Sequence, residues 1–310
     1  MLRRLAFLTV AFAVPVTQAH AHVVGADPDV PETLRYIEMI AIASAVIVYA
    51  LGVLRIRRSA GANRVVSASQ TLAFSLALSL FVVILSPPVD RVTDALFSAH
   101  MVQHLVLMLF IPPLLVWSRP FLVGLWALPA AQRKAISSSR CLHVLRAMGA
   151  WLMRPVVVAA LFLGAFAFWH LPRPYAWSLQ NEWVHAAEHL SFLLTAIMFW
   201  SLVIEPSGRR QMDHNTSLIY VAVVAVLSGL PGALMLLSPI PLFRAHGDAP
   251  LSWGLTPLTD QQIAGVIMWV PAGIFFLVPI GLLFVRSLQS AERRAKAASA
   301  SQMERTRSAG

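Results

Sequence analysis

The sequence predicts an all-α, polytopic membrane protein, a bundle of seven transmembrane helices that follows a cleaved signal peptide. Apolar residues make up 58% of its 310 residues and charged residues only 12%, whereas a water-soluble domain carries about a quarter of charged residues. The apolar residues also lie in blocks of roughly 20, the length a helix needs to cross about 30 Å of hydrocarbon. Lipid offers the backbone no hydrogen bonds, so each block is expected to be helical.

The first 21 residues are typical of a secretory signal peptide. Two arginines precede a short apolar run, and Ala19-His20-Ala21 supplies the small residues of a cleavage site. Cleavage there would leave His22 as the new N-terminus, and an uncleaved anchor is the alternative. We therefore divide the chain into a signal peptide (1–21), a seven-span membrane domain (22–290) and a disordered cytoplasmic tail rich in Ala, Ser and Arg (291–310).

Seven longer apolar blocks follow the signal. They are predicted as spans at 33–54, 67–86, 95–117, 155–170, 183–204, 216–238 and 260–285. Three of them contain helix-breaking residues, which membrane helices tolerate where neighbouring groups satisfy the freed backbone. We interpret these as packing kinks, at Pro112-Pro113, Gly229-Leu230-Pro231-Gly232, Pro271 and Pro279.

The positions of Lys and Arg predict how the chain crosses the membrane. One set of loops carries 18 of them, and the opposite set carries four, namely Arg35, Arg91, Arg173 and Arg244. Basic loops stay in the cytoplasm, so we predict a bacterial inner-membrane protein with a periplasmic N-terminus and a cytoplasmic C-terminus. Because the charges lie in separate loops, the net charge of +10 indicates a place in the lipid bilayer and no nucleic-acid partner.

Polar side chains at one end of four predicted spans form a candidate metal site. In two of these spans the histidines are four residues apart and therefore share a helix face. Imidazole nitrogen suits Cu, Zn, Fe and Ni, and raw affinity at equal geometry favours copper. The single cysteine, Cys141, excludes a Cys–Cys metal motif. The predicted metal ligands are His100, His104, His170, His185, His189 and Asp260.

Other interpretations of these residues stay open. The run His185-Ala-Ala-Glu188-His189 matches the H-x-x-E-H pattern of zinc proteases, in which the glutamate is the base; Glu188 could instead orient a ligating imidazole. Haem held by histidines of two facing spans is a further option. A copper transporter would need polar or Met groups continuing through the membrane, and below the histidines the spans are almost wholly apolar. The histidines could also be interfacial residues without a metal.

Several separated motifs resemble one protein family. They are Phe97-Ser-Ala-His100-Met-Val-Gln-His104-Leu with Pro112-Pro113, Trp169-His170-Leu-Pro, His185-Ala-Ala-Glu188-His189-Leu-Ser-Phe and Asp260-Gln261-Gln262-Ile-Ala-Gly265-Val-Ile-Met268-Trp269-Val-Pro271. From about span two to span seven, their order resembles the CtaG-like family of caa-type cytochrome c oxidase assembly factors. The resemblance implies a seven-span protein that matures a haem–copper oxidase by handling copper.

The resemblance also implies partners and site residues. The expected partners are haem–copper oxidase subunits and a periplasmic copper donor. We expect copper, with zinc as the second candidate, to be held by the two histidine pairs, while His170 and Asp260 act as further ligands or orient them. The protein is predicted not to be an enzyme, with a zinc-dependent membrane hydrolase and a copper transporter as the alternatives.

Overall fold

The computed structural model describes residues 29–60, 66–138, 140–204 and 212–309. This part of the chain is helical and contains no β-strand, which confirms the predicted all-α class. The predicted signal peptide, including His20 and His22, lies outside the described residues. The helices are α1 Asp29–Ala60, α2 Ala68–Ile84, α3 Pro87–Ala95, α4 Phe97–Leu105, α5 Ile111–Ser118, α6 Pro120–Trp126, α7 Ala130–Ser138, α8 Arg140–Leu152, α9 Pro155–Trp169, α10 Pro172–Gln180, α11 Glu182–Ile204, α12 His214–Leu237 and α13 Pro257–Ala309. A π-helical turn, Val106–Phe110, joins α4 to α5, and a 3₁₀ turn, Ala249–Trp253, precedes α13.

Five helical segments of the described chain are long and apolar enough to cross a membrane, and two bent helix pairs bring the number to seven if each pair is one span. The five are Thr33–Ser59, Phe97–Trp126, Glu182–Ile204, His214–Leu237 and Pro257–Lys296. The bent pairs are α2 with α3, at 54°, and the end of α8 with α9, at 68°. The protein is therefore a multi-pass membrane protein, and the seven predicted spans match this count.

Polar side chains of neighbouring helices satisfy the backbone at the proline breaks. Pro112 has no N–H, so the carbonyl of Met108, four residues earlier, lacks its helical partner; the indole of Trp200 on α11 donates to it at 3.0 Å. Between α2 and α3, Pro88 likewise frees the carbonyl of Ile84, and the Gln103 amide donates to it at 2.6 Å. The predicted kink in span three is thus a π-helical turn that α11 stabilises.

An aromatic core lies between α9, α11 and α13. The rings of Phe162 and Phe199 stack at 5.0 Å between centroids, and those of Trp200 and Phe276 at 6.0 Å. All four side chains are buried. These contacts hold the three helices together close to Met108. They therefore also limit movement of the polar residues that lie one or two turns away on these helices.

Two glycines allow α12 and α13 to cross closely. A Cβ placed on Gly232 would lie 2.9 Å from the carbonyl oxygen of Gly265, and a Cβ on Gly265 would lie 2.5 Å from the carbonyl oxygen of Gly232. Small residues at such crossings bring membrane helices into backbone contact. The Gly-Leu-Pro-Gly segment therefore serves helix packing, as expected, and its second glycine contributes through its size.

The C-terminal segment differs from the prediction. Residues 291–309, expected to be disordered, continue α13 as a helix. Residues 282–309 contain neither Gly nor Pro and are rich in Ala, Arg and Glu, which have high helix propensity. Glu292 and Lys296 add an ion pair of 2.6 Å at i,i+4 spacing. Local propensity thus accounts for helix where composition alone suggested disorder.

Replacing Gly265 with alanine tests the close crossing. The added Cβ meets backbone atoms of α12, which cannot rotate away, so α13 must shift. We expect Gly265→Ala to lower the free energy of unfolding by about 1–3 kcal/mol, measured as a lower thermal midpoint in detergent. Gly273→Ala on the same helix is the matched control, because nothing lies within 4 Å of its added Cβ. Equal midpoints for the two variants would contradict the crossing.

Candidate metal centre

Four imidazoles meet at the N-terminal ends of α4 and α11. One potential ligand atom from each of His100, His104, His185 and His189 lies within 4.8 Å of the others; we call these residues the four-histidine group. The ring centroids within each i,i+4 pair are 4.3 Å apart on α4 and 4.2 Å apart on α11. Across the helices, His100 lies 5.2 Å from His185. The two pairs therefore face each other, as a shared site requires.

The centre is largely buried, with His185 half-buried, and most of its polar atoms lack partners. His100 and Glu188 have no exposed surface, and His104 is 3% exposed. Six ring nitrogens of the four-histidine group and both carboxylate oxygens of Glu188 have no hydrogen-bond partner among the described residues. Buried polar groups are normally paired, and each one left unpaired costs about 1–3 kcal/mol. So many unpaired donor atoms in one place are characteristic of a cation site.

The arrangement fits a four-coordinate metal ion. Bonds of about 2.0–2.1 Å to imidazole, as zinc makes them, put tetrahedral ligands roughly 3.3 Å apart. The ligand atoms here lie within 4.8 Å of one another, so small side-chain rotations would bring them to that distance. The rings contact each other directly, which leaves no slot for a porphyrin between the two helices. The geometry therefore favours a single ion over haem.

Glu188 lies beside this group. Its Oε1 atom is 3.7 Å from Nε2 of His104, with both side chains buried. That distance is too long for a hydrogen bond. The glutamate of the H-x-x-E-H motif thus lies next to four imidazoles, where its carboxylate, when ionised, can offset the charge of a bound cation.

Asp260 is not in the four-histidine group. Its Oδ2 atom accepts a hydrogen bond of 2.7 Å from the backbone N–H of Phe97, and its Oδ1 atom accepts from the backbone N–H of Ser98 at 3.1 Å and from the Ser98 hydroxyl. The first N–H groups of a helix have no partner within it. Asp260 on α13 therefore caps α4 and holds the helix that carries His100 and His104.

His170 lies at the edge of the four-histidine group. Its ring centroid is 6.2 Å from that of His104. Its Nδ1 atom lies 2.7 Å from the carbonyl oxygen of Phe166, and because a carbonyl only accepts, Nδ1 carries the proton. Nε2 then has a free lone pair. Its role as a ligand stays a prediction, although a backbone carbonyl behind a histidine is the usual support of a metal-binding imidazole.

Tyr175 and His246 close the site from the side of the α12–α13 connection, and sequence analysis did not assign them a role in it. The ring of Tyr175 packs edge-on against His100 at 5.2 Å. Its hydroxyl is 2.6 Å from Nε2 of His246, whose Nδ1 is 2.8 Å from the carbonyl oxygen of Asp94. Burial raises the pKa of Tyr175 well above its usual value, so the neutral hydroxyl donates to His246. The only sign of this contact in the sequence is that His246 lies in the same predicted non-cytoplasmic loop as Arg244.

Gln261 fixes the same connection. Its Oε1 atom accepts from the backbone N–H groups of Leu242 and Phe243 at 2.5 and 3.1 Å, and its Nε2 atom donates to the carbonyls of Met235 and Ile240 at 3.2 and 3.3 Å. The side chain is buried. Adjacent residues Asp260 and Gln261 thus bind α4 and the α12–α13 connection to one turn of α13.

These features describe a multi-pass helical membrane protein with a buried histidine centre at one end of its bundle. The chain belongs to the cytochrome c oxidase caa3 assembly factor family, Caa3_CtaG, whose family model matches residues 47–290. The match includes all six predicted site residues and both helices of the four-histidine group. The predicted family is therefore confirmed.

Curated relatives share part of their length with this chain. An uncharacterized protein of Mycobacterium leprae (strain TN) is 26% identical over 228 residues, which are 71% of this chain and 34% of that protein. An uncharacterized protein of Mycobacterium bovis is 26% identical over 183 residues, 57% of this chain and 27% of its own. The chain thus spans about a third or less of these relatives. No solved structure matches it.

Replacing Asp260 with asparagine separates a capping role from a ligand role. Asparagine keeps the size but turns one acceptor into a donor facing a backbone N–H, so we expect a loss of about 1.5–3 kcal/mol in the free energy of unfolding. The metal's coordination, measured by X-ray absorption, should stay unchanged. Asp90→Asn is the control, because the Arg35–Asp90 pair, at 3.8 Å, is partly exposed and contributes less than about 1 kcal/mol. A changed metal spectrum would instead make Asp260 a ligand.

Proposed function

We propose that this protein binds copper at the four-histidine group and delivers it to cytochrome c oxidase during assembly. Membership of an oxidase assembly-factor family supports the pathway. The observation that carries the metal role is the convergence of four imidazoles, with six buried nitrogens unpaired, beside the buried Glu188. A cation at this point would satisfy these atoms and pair with the carboxylate.

Copper fits this set of ligands and the family's target. Imidazoles bind copper more strongly than zinc or iron at equal geometry, and the enzyme that the family assembles is a haem–copper oxidase. Nitrogen ligands without thiolate also exchange copper more readily than a cysteine cage. A protein that delivers its metal to another protein needs such exchange. The site therefore suits a metal ion that is passed on better than one that stays bound as a cofactor.

The protein side chains would bind the ion and keep water away from it. The two pairs on α4 and α11 bind, Asp260 sets the position of α4, and Tyr175 covers His100. Glu188 offsets part of the ion's charge, which matters because an unpaired charge is costly to bury. His170 is proposed as a further ligand. No bond of a substrate is broken, in line with a non-enzymatic assembly role.

The proposed membrane orientation agrees with this delivery route. The N-terminal ends of α4 and α11 belong to the side that carries few basic residues, so the positive-inside rule puts the centre at the periplasmic face of the bacterial inner membrane. We further propose that 1–21 is a cleaved signal and 22–290 is the membrane domain. A periplasmic donor would then load the site, and a membrane-embedded oxidase subunit would receive the ion sideways.

One observation favours a zinc-dependent hydrolase as the second candidate. The H-x-x-E-H motif places two of its residues in the four-histidine group, and Glu188 lies 3.7 Å from His104. A catalytic zinc site keeps a position open for water, whereas Glu188 and His100 are fully buried. The closed centre therefore supports copper handling over hydrolysis. Apart from methionines, the described parts of the spans below it are almost wholly apolar, which also weighs against a copper transporter.

Metal analysis of the purified protein tests the proposal. We expect at least one copper ion per chain in copper-loaded, detergent-purified protein, measured by mass spectrometry, because four nitrogen ligands hold one ion. His104→Ala combined with His189→Ala removes one ligand from each helix and should abolish this copper. Cells carrying the double variant should lose copper-dependent oxidase activity in their membranes.

His214→Ala is the matched control for this experiment. His214 begins α12, and the basic loop before it belongs to the opposite side of the membrane, so this variant should keep its copper. Zinc in place of copper would favour the hydrolase. Absence of metal after copper loading, in the wild type, would overturn the proposal and leave an assembly factor that acts by contact alone.

The Glu188→Gln variant distinguishes copper handling from hydrolysis. Glutamine keeps the shape but removes the charge, so we expect copper affinity to fall by roughly tenfold, as is typical when a supporting residue of a metal site is lost. Oxidase assembly should then recover when the medium contains more copper. In a hydrolase the same change would abolish function with the metal still bound, and added copper would not restore it.

A further inference from the structure

A second set of metal-binding side chains lines a cavity next to the four-histidine group. The cavity has a volume of about 40 Å³ and lies between α4, the π-helical turn, α9, α12 and α13, enough for roughly three water molecules. His104 and His170 form part of its wall, together with the methionines Met101, Met108 and Met268. His104 therefore belongs to both the four-histidine group and this space, which we call the methionine cavity.

The two imidazoles have nitrogens free for a metal. Both ring nitrogens of His104 lack a partner among the described residues. Nδ1 of His170 donates to the carbonyl oxygen of Phe166 at 2.7 Å, so Nε2 is the unprotonated nitrogen of this ring. His170 is 8% exposed. These are buried nitrogen donors on the wall of one cavity, and one of them is oriented in the way that metal-binding histidines are.

The three methionines belong to the hydrophobic core and also line the cavity. Methionine is flexible and normally fills irregular gaps, and Met101, Met108 and Met268 are at most 7% exposed. Even so, they line an open space instead of closing it. Met108 lies on the π-helical turn four residues after His104, and such turns are frequent at functional sites. Three thioethers that border a cavity with two imidazoles form a soft ligand set.

We propose that the methionine cavity binds Cu(I), as a second site that receives the ion, already as Cu(I) and without electron transfer, from the four-histidine group through the shared His104. Thioether sulfur selects Cu(I), and a monovalent ion costs less to move into surroundings as apolar as Phe162 and Phe166 than a divalent one does. The inference rests on the proposed function. It adds one step to that function. The ion moves along one face of α4, from the four-histidine group to the methionine cavity, which lies deeper in the bundle.

Ag(I) and Zn²⁺ report on the two sites separately. Ag(I) is a soft, monovalent probe without redox chemistry, and Zn²⁺ prefers the imidazoles. By calorimetry on the detergent-purified chain, we expect the wild type to bind one Zn²⁺ and at least one Ag(I). In Met101→Leu combined with Met268→Leu, which conserves volume, Ag(I) affinity should fall by roughly tenfold or more while Zn²⁺ affinity is kept.

Two further variants complete the test. Met235→Leu is the matched control, because Met235 is buried but does not line the cavity, and it should bind Ag(I) like the wild type. His185→Ala combined with His189→Ala should lose Zn²⁺ and keep Ag(I). In Cu(I)-loaded wild type, X-ray absorption should detect sulfur ligands that the double Met variant lacks.

The outcomes separate the second site from the proposed function. Equal Ag(I) affinity in the wild type and the double Met variant would overturn the methionine cavity and leave the four-histidine group untouched. Equal loss of Ag(I) in Met235→Leu would also overturn it, since the effect would then follow from packing. Wild-type protein that binds neither copper nor Zn²⁺ at the four-histidine group would instead refute the proposed function.

Discussion

Inside a bilayer every buried polar group has to find its partner within the protein, because lipid provides none. This constraint explains several long-range hydrogen bonds of the structure. Where Pro88 and Pro112 free backbone carbonyls, the side chains of Gln103 and Trp200 donate to them. Where α4 begins, Asp260 accepts its first N–H groups. The four-histidine group is different, because six of its buried ring nitrogens have no hydrogen-bond partner among the described residues.

The packing of α13 connects the fold to the site. Gly232 and Gly265 allow α12 and α13 to cross at backbone distance. One turn before the crossing, α13 presents Asp260 to α4, and one turn after it presents Met268 to the methionine cavity. Because the two residues lie eight positions apart on one helix, a shift of α13 would move the cap of α4 and the cavity wall together. Helix packing and metal-site geometry thus depend on the same contact.

The donor atoms change along α4. At its start, His100 and His104 offer nitrogen next to the carboxylate of Glu188, which suits an ion that arrives from water. Met108, four residues after His104, adds a methionine in apolar surroundings, which suits Cu(I). Pro112 requires the π-helical turn, and Met108 lies on that turn. The turn that accommodates the proline therefore also forms part of the cavity wall.

The sequence by itself determined the helical membrane class, the number of spans, the family and the i,i+4 histidine pairs, because hydrophobic length and helix periodicity are local properties. Its composition argument failed at residues 291–309, where helix propensity decides. Only the tertiary structure brought the two pairs together, placed Asp260 on the N-terminus of α4 and set Tyr175 against His100. Such contacts join residues far apart in the chain, here 162 positions or more for Asp260. They depend on helix order and rotation, which no spacing encodes.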